Sequence, residues 1–110
     1  MVWTASLEAR LENPRSDLVD LADELLSALE QQPGVLGAAA FVNLEEQTLG
    51  GRFDVEQPDA RAAFHAAVDY FIVALAAIGL VDTAVAIIGV EIVEAQVLPR
   101  HERERELATT

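Results

Sequence analysis

The stretch from residue 57 to residue 80 constrains the fold more than any other part of the chain. It predicts one long helix, with Pro58 in the first turn and Gln57 or Asp59 as the cap. Helical periodicity assigns eight residues to a core stripe: Ala60, Ala63, Phe64, Ala67, Val68, Phe71, Leu75 and Ile78. The second half of the helix, residues 70–80, carries no charged side chain. Because a helix that is apolar all round is normally buried all round, this half needs a cover.

Three covers are possible for the outer flank of this helix, which consists of Ile72, Val73, Ala76 and Ala77. A membrane span would need about 20 apolar residues, which is more than this run supplies, so we expect no membrane span. The ends of the chain could fold over the flank, or a second subunit could bind it. Since monomers seldom expose large apolar patches, we favour the subunit and predict a homodimer or a higher homo-oligomer.

Composition limits the classes of function. The 110 residues correspond to one domain, and 19 acidic against 7 basic residues give a net charge of −12. Direct nucleic-acid binding is not expected, because it depends on neutralising phosphates. The acidic surface could keep a hydrophobic protein soluble or could bind a basic protein partner. The chain has no cysteine and no signal-peptide pattern, so we expect a cytoplasmic protein without disulfides.

The hydrophobic patterns predict the order strand, helix, strand, strand, helix, strand. Besides the long helix, we expect these elements: strand 2–12, helix 16–32, strand 35–42, strand 48–56 and strand 83–98. With right-handed crossovers this order gives a ferredoxin-like sandwich, a four-stranded antiparallel sheet in the order 4-1-3-2 with two helices on one face. A strand-swapped dimer of the same unit is the alternative. Residues 1–98 would form this single domain, and residues 99–110 a flexible, charged C-terminal tail.

The last predicted strand is long enough to extend beyond the first, since each residue adds about 3.3 Å. Gly89 could form a bulge that bends it. Residues 93–98 would then lack a partner strand within the chain. We therefore add Val93 and Val97 to the predicted interface.

The open face of the predicted sheet is the candidate ligand site. Strands one and three would place Glu8, Arg10, Arg52 and Asp54 in its middle, with Glu91 nearby. These charges could form a solvated face with cross-strand ion pairs, each worth under about 1 kcal/mol. Alternatively, they form a polar floor for a small ligand, on which the two arginines orient an anion.

Other polar clusters do not predict a site. His65 lies one turn from Arg61 and Asp69, but this side of the helix faces solvent and no nucleophile accompanies it. The acidic residues between positions 20 and 24 offer too few oxygen ligands for a hard cation. We therefore predict no catalytic residue, no metal site and no cofactor.

The sequence supports three hypotheses about function. The favoured one is a non-enzymatic homo-oligomeric module with a regulatory or adaptor role, which would assemble through the predicted interface. The second is a small-molecule binder or enzyme that uses the open sheet face. The third is an acidic inhibitor or mimic that masks a basic protein. A steep salt dependence of partner capture would separate the third hypothesis from the first.

Overall fold

A computed structural model describes residues 1–12, 15–80 and 85–95. Its elements, in chain order, are β1 (Val2–Leu11), α1 (Leu18–Glu30), β2 (Leu36–Asn43), β3 (Thr48–Glu56), α2 (Ala60–Ala77) and β4 (Val85–Glu94). The strands form one antiparallel sheet in the order β2-β3-β1-β4. This is the predicted order counted from the other edge, so the ferredoxin-like fold is confirmed.

Alternation along the central strands separates two faces of the sheet. In β1, Ala5, Leu7 and Ala9 are buried against the helices, whereas Ser6 and Glu8 are half-buried on the other side. The inward residues of β3 are buried in the same core: Leu49, Gly51, Phe53 and Val55. We call the other side of the sheet, which neither helix covers, the open face.

The first helix spans Leu18–Glu30, two residues shorter at each end than the predicted range 16–32. Asp17 is the N-cap residue, yet its side chain accepts no hydrogen bond from the helix backbone. Instead, Arg15 donates hydrogen bonds of 2.9 and 2.8 Å to the two Asp17 carboxylate oxygens. This hydrogen bonding lowers the pKa of the Asp17 carboxyl group. The buried stripe of α1 consists of four leucines at helical spacing: Leu18, Leu21, Leu25 and Leu29.

The second helix buries a stripe that differs from the predicted one. Four residues of the predicted stripe are buried: Ala63, Ala67, Phe71 and Leu75. However, Phe64 is 42% exposed and Ala60 is exposed, while Ala74, which the prediction omits, is fully buried. Because α2 is apolar on nearly every side, periodicity alone does not fix which side faces the sheet. The observed face consists largely of alanine, which allows the helix to approach the sheet closely.

Within the described residues, α2 is the one helix long and apolar enough to cross a membrane, with 18 residues and a mean hydropathy of 1.3. Five of its residues are buried in the core of the domain. Core helices of this length satisfy the same criteria, so the observation is weak evidence for a span. The absence of a membrane span stays a prediction.

The predicted bulge is present in β4. Glu8 pairs with Gly89, but the next residue of β1, Ala9, pairs with Ile87. Ile88 is therefore the additional residue, directly before the glycine, as in a β-bulge.

Within the described residues, β4 does not extend beyond its partner. Both strands have 10 residues. Val93 pairs with Thr4, and the Ala95 N–H donates a 2.9 Å hydrogen bond to the Val2 carbonyl. The prediction of an unpartnered strand end is therefore wrong for residues 93–95, because β1 and β4 have the same length and pair along almost all of it. Val97 and the predicted tail, residues 99–110, lie outside the described residues.

The cap of α2 provides a test of local stability. The Ala62 N–H donates a 2.8 Å hydrogen bond to Asp59 Oδ1. We expect Asp59→Ala to lower the free energy of unfolding by about 1 kcal/mol, measured by urea denaturation. Asp59→Asn is the matched control, because an asparagine side-chain oxygen can still accept the hydrogen bond from the Ala62 N–H. Equal losses in the two variants would contradict the capping role of Asp59.

Candidate open-face site

A groove with a volume of about 250 Å³ lies on the open face. It is lined by residues from β1, β2 and β4: Ser6, Leu7, Glu8, Phe41, Gly89, Val90 and Glu91. Carboxylates, a hydroxyl group and an aromatic ring therefore converge from three different strands. Such a mixture of apolar walls and a few polar groups is typical of small-molecule sites.

One row of paired residues explains why the groove forms at this position. Phe41 pairs with Gly50, Gly50 pairs with Glu8, and Glu8 pairs with Gly89. The Phe41 ring occupies the space that a Cβ on Gly50 would fill. Beside Gly89, by contrast, nothing lies within 4 Å of the corresponding Cβ position. Glu8 thus has the Phe41 ring on one side and, at Gly89, open space on the other.

The next row adds a second carboxylate to the groove. Ser6 pairs with Glu91 on one side and with Arg52 on the other. Glu8 and Glu91 are diagonal neighbours on adjacent strands, a relation that corresponds to about 7 Å. The salt bridge found among the described residues joins Arg15 to Asp17, so neither groove carboxylate is paired with an arginine there.

The predicted ligand residues share the open face, but they do not form one cluster. Their set is Glu8, Arg10, Arg52, Asp54 and Glu91, of which the two glutamates line the groove. Asp54 accepts a 2.7 Å hydrogen bond from Thr4 Oγ1.

The two predicted anion-binding arginines lie on opposite sides of Glu8. Arg10 pairs with Thr48, whereas Arg52 pairs with Ser6, two rows further along the sheet. An anion held by both would lie over the row that contains the Glu8 carboxylate, which would repel it. The anion site stays a prediction, and the register does not favour it.

The predicted interface residues do not form one surface. Those on α2 are at least partly exposed: Ile72 (47%), Val73 (53%), Ala76 and Ala77. Val93 is 46% exposed, but it pairs with Thr4 on the open face, on the other side of the sheet from α2. Val97 is outside the described residues, and self-association stays a prediction.

A larger depression, of about 520 Å³, lies between α1 and the end of α2. Its polar residues all come from α1: Asp23, Glu24, Ser27 and Gln31. They belong to one helix and do not converge from separate elements, so we place the candidate site in the open-face groove. Within the described ranges, no three His, Asp or Glu side chains are grouped to hold a metal ion.

Sequence reasoning missed Phe41, Gly50 and Gly89 as parts of the site. The sequence places Phe41 in an apolar strand and Gly50 inside a strand, and it predicts a bulge at Gly89, but none of these patterns indicates a site. The available signal was one aromatic residue in a run of small side chains, residues 37–42. Its relation to the glycines depends on the pairing register, which hydrophobic alternation does not specify.

Comparisons with known proteins identify the fold. No protein-family model and no curated protein matches this sequence. Among solved structures, the structural-genomics protein YJCS is 7% identical, with a TM-score of 0.61, and the match covers 87% of this chain and 100% of that chain. SnoaB, a cofactor-independent oxygenase from Streptomyces nogalater, is 14% identical, with a TM-score of 0.50 and coverage of 90% and 98%. A putative antibiotic biosynthesis monooxygenase from Bordetella bronchiseptica is 18% identical, with a TM-score of 0.50 and coverage of 89% and 100%.

These neighbours share the ferredoxin-like fold of antibiotic biosynthesis monooxygenases, and at such identities the likeness shows the fold alone. They nevertheless contradict the favoured hypothesis of a non-enzymatic homo-oligomeric module, because two of the three are described as oxygenases. That hypothesis rested on the apolar flank of α2, which carries no information about the open face. The fold is of a soluble type, and the cytoplasmic location stays a prediction.

Proposed function

We propose that this chain binds a small organic molecule in the open-face groove and acts on it as an enzyme. The observation that carries the proposal is the row of paired residues from Phe41 to Gly89. In this row the half-buried Glu8 lies between Gly50, which the Phe41 ring covers, and Gly89, beside which there is open space. The oxygenase descriptions of two structural neighbours support an enzyme over a module without chemistry.

Glu8 is the residue that we assign to chemistry in this site. It lies in the middle of the groove, and its carboxylate can accept a proton from a bound ligand, as a general base does. Ser6 and Glu91 are placed to orient polar groups of the ligand, while Phe41 covers an apolar part. A volume of about 250 Å³ is slightly smaller than the usual range for whole ligands, so we expect a longer molecule to extend along the sheet.

A thermal-shift screen of small organic acids, amines and neutral aromatic compounds tests the proposal. At about ten times the dissociation constant, a ligand adds roughly 1.4 kcal/mol of stability, which raises the Tm by several degrees. We expect Phe41→Ala to abolish the shift that each hit produces in the original chain.

The matched control for this screen is Phe64→Ala. Phe64 is 42% exposed and Phe41 is 41% exposed, but Phe64 lies on α2, away from the groove. The hits should therefore keep their effect in this variant. Hits that survive Phe41→Ala unchanged, or a screen without hits, would contradict a site in the groove.

A further inference from the structure

We infer that the groove takes an organic cation, a protonated amine or a quaternary ammonium group attached to a flat apolar body. The inference rests on the proposed function, because it names the ligand class of the same site. It follows from three features of the described residues: the groove carboxylates, the Phe41 ring and the distribution of charge on the open face.

The carboxylates of the groove form no salt bridge with any described residue. Glu8 and Glu91 come from adjacent strands and line the same 250 Å³ volume. The ion pair in this part of the chain is between Arg15 and Asp17, outside the groove. A cation between the two glutamates would gain coulombic attraction from both, and a protonated amine would also donate charge-assisted hydrogen bonds to them.

The aromatic wall favours the same kind of ligand. Phe41 is 41% exposed, and its ring lies over Gly50, the residue that pairs with Glu8 on the neighbouring strand. The face of an aromatic ring attracts a cation within about 6 Å of its centre. A ligand that places its charge near Glu8 and its apolar body against the ring would satisfy both contacts.

The wider charge distribution also disfavours an anion. The charged residues on the open face of β1, β3 and β4 are four carboxylates and two arginines: Glu8, Asp54, Glu56, Glu91, Arg10 and Arg52. The arginines lie in the rows on either side of Glu8 and do not line the groove. The net charge of −12 attracts cations toward the whole chain. Glu8 and Glu91, which form no salt bridge within the described ranges, place two of the negative charges in the groove.

Titration of the full chain with benzyltrimethylammonium, followed by amide NMR, tests the inference. Benzoate and benzyl alcohol serve as anionic and neutral probes that carry the same ring. We expect benzyltrimethylammonium to shift the amides of residues 6–8, 41 and 89–91 with a Kd of about 1 mM, and both other probes to bind more weakly.

Substitutions in the groove test which side chains bind the cation. We expect Glu8→Gln to weaken benzyltrimethylammonium binding about fivefold, and Phe41→Leu about threefold. Glu30→Gln is the matched control, because it removes the same charge from an exposed position on α1. At physiological salt this distant change should alter the Kd by less than about twofold.

The results separate the ligand class from the site itself. Benzoate or benzyl alcohol binding in the groove as tightly as the cation, or an unchanged Kd in Glu8→Gln, would overturn the cation inference and leave the site in place. If no probe shifts the groove amides at up to about 50 mM, both the inference and the proposed function are wrong.

Discussion

Replacement of Phe71 by alanine should lower the free energy of unfolding by about 3–5 kcal/mol. The Phe71 side chain is fully buried in the core, on the face of α2 that meets the sheet. Its ring edge lies 3.5 Å from the position that a Cβ on Gly51 would take, so the ring fills the space above the centre of β3. Truncation leaves a cavity that rigid neighbours close only in part. Small domains have a total stability of about 5–15 kcal/mol, so this loss would be a large fraction.

Phe64→Ala is the control on the same helix. It is the same chemical change, but the Phe64 side chain is 42% exposed, so we expect a loss below about 1 kcal/mol. Urea denaturation monitored by circular dichroism measures both variants. A loss for Phe64→Ala as large as that for Phe71→Ala would show that α2 packs with a different face toward the sheet.

The same two residues show how far periodicity defines this helix. Helical spacing predicts both phenylalanines in the core, and the structure buries only Phe71. In α1, charged residues on the outer side fix the orientation, and four leucines are buried on the other side. The second half of α2 lacks such a polar side, so several rotations of the helix satisfy the pattern equally well. Packing against the sheet selects a face that combines Phe71 with several alanines, and Ala74, which the prediction omits, is one of them.

The sheet was more predictable than the helix orientation. Strict alternation in β1 and β3 specifies which side chains point inward, and every second residue of β3 from Leu49 to Val55 is buried. The element order with right-handed crossovers then leaves few topologies, and the observed order is the predicted one. Alternation also placed Glu8, Arg10, Arg52 and Asp54 on the open face.

The groove itself was not predictable, because it depends on which residues face each other across strands. Alternation assigns a face to each residue but does not give the pairing of Phe41 with Gly50 or of Glu8 with Gly89. That pairing follows from the turn after β2 and from the bulge in β4. A shift of two residues in either pair would keep every face assignment and would separate Glu8 from its glycines.

The two glycines beside Glu8 should respond in opposite ways to the same substitution. A Cβ on Gly50 would collide with the Phe41 ring and lie 2.8 Å from the Leu7 carbonyl oxygen. We therefore expect Gly50→Ala to lower the free energy of unfolding by about 1–3 kcal/mol. A Cβ on Gly89 meets nothing within 4 Å, so Gly89→Ala should be neutral or stabilising by up to about 1 kcal/mol. Urea denaturation measures both, and a similar loss in the two variants would contradict the difference in space.

A double-mutant cycle identifies which contact makes Gly50 necessary. If the Phe41 ring is the obstacle, Gly50→Ala should lower the free energy of unfolding by less in a Phe41→Ala background, with a coupling energy of about 0.5–3 kcal/mol. If the cost is unchanged, the Leu7 carbonyl is the obstacle and the position of the ring does not depend on Gly50.

Ligand binding should respond differently from the free energy of unfolding in the two glycine variants. Both variants add a methyl group beside Glu8, so both should weaken benzyltrimethylammonium binding in the NMR titration. Weaker binding in Gly89→Ala at undiminished stability would then show that the groove is occupied by the ligand, because unfolding could not explain the loss.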